Sequence, residues 1–223
     1  MSVFVDLLQD RDRFIKEIVD GVAVGRKILA LTLVSVACLA LYGVIIGSQY
    51  SWLQALSSGV KLPILFLLTN AICLPTLFIF GSFFGSKRSA MQTAALLLAG
   101  TAVIGIVLVG FAPVTVFFTV TTKNYQFLKI LNVGFFSIAG ILGILFFNRF
   151  LAESMEAGAQ PVRARGLFLR FWFLLYAFVG TQLAWTLRPF FGAPDMRFEF
   201  LRELGGNFYS NVFQSLGHLF GAQ

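Results

Sequence analysis

Between Asp20 and Glu153 the chain contains no acidic residue, and that interval holds four long apolar runs with their lysines and arginines at the edges. A fifth apolar run follows toward the C-terminus. Soluble domains spread both signs of charge over a water-facing surface, whereas these runs suit hydrocarbon as solvent. The composition agrees: 58% of residues are hydrophobic and 12% charged, against roughly 25% charged in an ordinary soluble domain. The 27 phenylalanines suit helices that need bulky side chains with no polar atom to satisfy.

The pattern predicts an all-α fold, a polytopic transmembrane bundle of five helices flanked by amphipathic interfacial helices at both termini. The spans are expected at residues 28–47, 62–84, 91–111, 127–147 and 167–187. About 20 residues rising 1.5 Å each cross about 30 Å of hydrocarbon. Barrel strands are excluded, because the runs are continuous and exceed the roughly 9–11 residues of a spanning strand. Three regions follow: an N-terminal cytoplasmic amphipathic segment (1–26), a transmembrane domain (27–190) and a C-terminal interfacial segment on the opposite face (191–223).

Basic residues near span ends resist translocation, so their distribution orients the bundle. Eleven of the 17 fall on the N-terminal side, among them Arg26, Lys27, Lys87, Arg88, Arg149 and Arg163. This predicts a cytoplasmic N-terminus and a C-terminus across the bilayer. The net charge of +7 is dispersed singly over the loops, without the basic stripe and interleaved aromatics of a nucleic-acid surface.

Both termini carry helical apolar spacing. Phe4, Leu7, Leu8, Phe14, Ile15 and Ile18 recur among Asp6, Asp10, Asp12 and Glu17, which reads as a helix lying on headgroups or docking a cytoplasmic partner. Near the other end, Asn207 caps a run with Phe208, Val212, Leu216 and Leu219 on one face.

Inside the spans, Pro63 and Pro75 bracket Asn70. Proline removes a backbone donor, so this segment is expected to kink, either for packing or as a broken helix with a midplane site. The third run continues uncharged past Pro113, and residues 112–122 are expected as a separate interfacial or re-entrant piece. Gly134, Ser137, Gly140 and Gly143 recur every three residues, a stripe where another helix, of this chain or a partner, can approach closely. Gln182 lies within the fifth span and Arg188 at its end, where its head can snorkel to the interface.

No catalytic or metal constellation is legible. His218 is the sole histidine, no ionisable acid lies in the spans, and Cys38 and Cys73 fall in apolar runs where thiols act as small hydrophobes.

Residues 61–69 (KLPILFLLT), 112–118 (APVTVFF) and 172–191 (WFLLYAFVGTQLAWTLRPFF) resemble an uncharacterised group of bacterial and cyanobacterial membrane proteins, some of them similar to Yip1-domain proteins. The resemblance implies five spans, a cytoplasmic N-terminus and residence in a bacterial inner membrane or a thylakoid. The broader family serves vesicle traffic with small GTPases, but the short N-terminal segment offers no evident docking domain for one. The expected function is a non-catalytic accessory, scaffold or assembly protein of a larger membrane complex. Its partners would be the lipid bilayer and other membrane subunits. No cofactor is expected beyond bound lipid, with pigment only inside a photosynthetic complex. The competing reading is a small channel or facilitator built around the segment between Pro63 and Pro75.

Overall fold

The computed structural model describes residues 11–49, 51–83, 86, 88–122, 124–153, 162–190, 200–201 and 209–210. Among the described residues six helices follow in chain order: α1 (Arg11–Val19), α2 (Val24–Gly47), α3 (Trp52–Phe83), α4 (Ala90–Thr121), α5 (Tyr125–Glu153) and α6 (Val162–Thr186). Helices α2 to α6 are each long and apolar enough to cross a membrane, so the chain is an integral membrane protein. Within hydrocarbon each helix satisfies its own backbone polar groups, which selects helices over any open sheet. Short connections make sequential helices antiparallel, and α2, α4 and α6 run opposite to α3 and α5.

Helix α4 is the axle. It packs against α1, α2, α3 and α5, while α2 also packs on α3, and α6 lies on α3. Of the most apolar 18 residues of α4, 61% are buried, against 11% for α6. Composition explains the difference. Ala95, Ala99, Gly100, Ala102 and Gly105 keep α4 thin enough for neighbours on several sides, whereas α6 turns Leu167, Phe171, Leu174 and Phe178 outward.

The core divides into two clusters along the bundle axis. Near α1, Phe14, Ile18, Leu31, Leu77, Leu96, Phe147 and Trp172 pack together, with the Phe147 and Trp172 rings stacked at 5.8 Å. Toward the other end, Leu39, Ile46, Leu62, Leu108, Phe135 and Ala139 form the second cluster, with Phe111 stacked on Phe135 at 4.4 Å.

Three sequence expectations change: where α3 starts, whether residues 112–122 stand apart from α4, and what covers the apolar face of α1. Helix α3 starts at Trp52, ten residues before the expected span, because its polar first turns face protein rather than lipid. Pro63 and Pro75 sit inside this one uninterrupted helix, and α4 likewise continues through Pro113 to Thr121 as a single helix, not a separate interfacial or re-entrant piece. A single missing donor does not break a helix whose flanking turns stay hydrogen-bonded. The apolar face of α1 is taken up by the bundle end, where Phe14, Ile15 and Ile18 are buried, and so is not left for headgroups. The expected C-terminal amphipathic helix lies outside the described residues apart from Tyr209 and Ser210.

Candidate functional site

Two hydrogen-bonded triads occupy the bundle interior, each pairing a tyrosine, an asparagine and a threonine from three helices. In the first, Tyr176 of α6 donates to Oδ1 of Asn70 on α3 at 2.8 Å, and Asn70 Nδ2 donates to Thr101 Oγ1 of α4 at 2.8 Å. In the second, Tyr42 of α2 donates to Oδ1 of Asn132 on α5 at 2.7 Å, with Thr115 Oγ1 of α4 at 3.2 Å from the phenol. Asn132 Nδ2 and the threonine hydroxyls close onto carbonyls one turn back in their own helices. Such groups are costly unpaired in an apolar interior, and pairing across helices fixes which helices neighbour one another.

A third polar constellation lies on the first turns of α3. Gln54, Ser57, Ser58 and Lys61 recur at i, i+3, i+4 and i+7, which puts them on one helix face, and all four are buried. This face holds the chain that leaves α6. Gln54 Nε2 donates to the Pro189 carbonyl at 2.8 Å and to Ser58 Oγ at 3.2 Å, and Ser58 donates to the Phe190 carbonyl at 2.6 Å. Lys61 Nζ donates to the carbonyls of Pro189, at 3.3 Å, and Phe200, and lies over the Phe200 ring at 4.6 Å from its centre. Among the described residues Lys61 has no carboxylate partner. Ser57 Oγ is buried with no hydrogen-bond partner.

This arrangement rests on a close approach of α2. A Cβ on Gly43 would lie 2.4 Å from the Ser58 carbonyl oxygen, and one on Gly47 would lie 2.5 Å from that of Gln54. Glycines four apart keep to one helix face, so the two backbones can touch over a full turn.

At the opposite end α1 is fastened by two devices. Lys27 at the start of α2 donates to Glu17 Oε2 at 2.8 Å and to the Phe14 carbonyl at 3.3 Å. Hydrogen bonding and charge from Lys27, with a lesser contribution from Arg13, hold the Glu17 carboxyl below the usual carboxylate range. Gln92 completes a capping box with Ser89 at the start of α4. Its Nε2 also reaches the last carbonyls of α1, at 3.2 Å for Ile18 and 2.7 Å for Val19.

The residues singled out from sequence scatter across these features. Asn70 joins the first triad. Pro63 is buried and Pro75 faces outward. Gln182 is half-buried, with Thr186 donating to its backbone carbonyl at 2.9 Å. The Arg188 guanidinium lies 3.6 Å from the centre of the Trp185 ring, beside the docked Pro189. The small-residue stripe is not one surface. Gly143 packs against Ile104 of α4, whereas Gly134 and Gly140 have open space where a Cβ would stand, and Ser137 is exposed. Three residues turn a helix through 300°, so a stripe at that spacing drifts about 60° per step. The glycine pair at 43 and 47 and the polar face from Gln54 to Lys61 were not singled out. Both were visible as four-residue and i, i+3, i+4, i+7 spacings.

Comparison with protein-family models, curated proteins and solved structures gives no match.

Proposed function

We propose that the chain is a non-catalytic integral membrane accessory, scaffold or assembly subunit that works by helix packing. The observation carrying this reading is how the interior asparagines are used: Asn70 and Asn132 are each bound to side chains of neighbouring helices. That is the behaviour of polar groups that specify helix neighbours. The outward faces of α5 and α6 supply the complementary half. Gly134, Ser137, Ile138, Ile141 and Leu145 line an open face of α5, and its small residues admit a partner helix. In the same reading the α1 end faces the cytoplasm, as the distribution of basic residues suggests.

The test is co-purification from native membranes in mild detergent, comparing the natural chain with Gly134→Leu and Ser137→Leu, both on that open face. A stoichiometric partner should be retained by the first and lost from both variants while their Tm stays unchanged. Solute flux through the purified chain in liposomes, abolished by Asn70→Leu, would overturn the proposal in favour of a channel or facilitator.

A further inference from the structure

The buried face of Gln54, Ser57, Ser58 and Lys61 has a chemistry that its present occupants only half use. It presents an ammonium, a carboxamide N–H group and two hydroxyls, and among the described residues what they meet across the chain is three neutral backbone carbonyls and one phenyl ring. Ammonium groups this buried are normally paired with a negative charge. Lys61 is 1% exposed, and among the described residues no carboxylate reaches it. Ser57 adds an independent sign, a hydroxyl at the same face buried without a partner. A set of donors on one helix face beside an ammonium is complementary to an oxyanion. Charge-assisted hydrogen bonds to such a group are roughly twice as strong as those to neutral carbonyls.

Position favours the same ligand. Lys61 lies nine residues into α3 and one residue before the continuous apolar stretch that begins at Leu62. That places its Cα about 14 Å from the start of the helix, where the uncharged stretch suited to hydrocarbon begins and headgroup oxyanions come within reach of a lysine side chain. The neighbouring Phe190 side chain packs against the core cluster that contains Tyr42, Leu62 and Phe135, so the same short stretch both covers the polar face and seals the apolar end beside it.

We propose that Gln54, Ser57, Ser58 and Lys61 form a phosphate- or carboxylate-binding site, held closed by Pro189, Phe190 and Phe200, and that an oxyanion opens it by replacing their carbonyls. No bond is made or broken covalently; carbonyl–donor hydrogen bonds are exchanged for anion–donor ones. The proposal does not depend on the scaffold reading, since it concerns a different face.

The experiment places spin labels at Trp52→Cys and Leu201→Cys, both exposed positions, in a Cys38→Ser, Cys73→Ala background of the full chain. Distances are measured by double electron–electron resonance in phosphatidylcholine nanodiscs, then with phosphatidylglycerol included, and separately with inorganic phosphate at matched ionic strength. One short distance is expected in phosphatidylcholine, with a second, longer population growing as oxyanion is added. Growth with phosphatidylglycerol alone identifies a lipid headgroup as the source, and growth with inorganic phosphate identifies a soluble anion. Lys61→Gln should lose the response and Lys61→Arg keep it. Phe190→Ala, which loosens the cover without touching the donors, should move the midpoint to about tenfold lower oxyanion, a shift of 1.4 kcal/mol. An unchanged distance in the natural chain under every condition overturns the proposal, as does a response that survives Lys61→Gln.

Discussion

Gly43 of α2 faces the backbone carbonyl of Ser58 on α3 so closely that a Cβ at that position would stand 2.4 Å from the oxygen. The contact binds the first hairpin of the bundle, and the side chains of the same α3 residues, Gln54 and Ser58, hold the chain leaving α6. Backbone lies on the far side, so relief requires the two helices to part.

Gly43→Ala and Gly47→Ala should therefore each destabilise the protein by about 1–3 kcal/mol, the range for overpacking a tight contact. Gly134→Ala and Gly140→Ala, which have open space, should stay within about 0.5 kcal/mol. Thermal unfolding in detergent followed by circular dichroism separates the pairs. Equal effects at all four positions would contradict the hairpin geometry.

Tyr42→Phe removes the donor to Asn132 Oδ1 and leaves a buried acceptor unpaired. The expected loss is about 0.6 kcal/mol, up to about 1.7, the span measured for interhelical hydrogen bonds in a membrane protein. Tyr42→Phe combined with Asn132→Leu should cost less than the sum of the two single changes, because the second removes the orphaned group. Strict additivity in that cycle would show that the pair does not interact.

Docking of α1 should depend on acidity. The Glu17 carboxyl is held below its ordinary range chiefly by Lys27. Its contribution is thus complete above that ordinary range and lost as pH falls through the lowered value. A spin label at exposed Lys16→Cys should gain mobility on acidification, and Glu17→Gln should be mobile already at neutral pH with little further change. A label insensitive to both would show that Phe14, Ile15 and Ile18 hold α1 unaided.

The turn joining α1 to α2 uses two left-handed residues, Gly21 at φ 79° and Ala23 at φ 50°. A non-glycine residue pays roughly 1–2 kcal/mol for that conformation. Ala23→Gly should stabilise the docked form by about 1 kcal/mol, and Gly21→Ala should weaken it by a similar amount. Proteolytic release of α1 from the purified protein reports both, and a common direction for the two variants would refute the turn assignment.

By itself the sequence determined that five segments enter hydrocarbon and that residues around Phe14 to Ile18 form an amphipathic helix. Both are one-dimensional properties, decided by how long an uncharged run is and how its apolar residues repeat. The tertiary structure decided which small residues touch, which polar groups pair and where helices begin. Gly143 was distinguished from Gly134 only by the rotation of α5 against α4, and Asn70 acquired its role from Thr101 and Tyr176, 31 and 106 residues away. The start of α3 at Trp52 was hidden for the same reason. Hydropathy counts Gln54, Ser58 and Lys61 as interruptions of a span until the carbonyls of Pro189, Phe190 and Phe200 are in place to receive them.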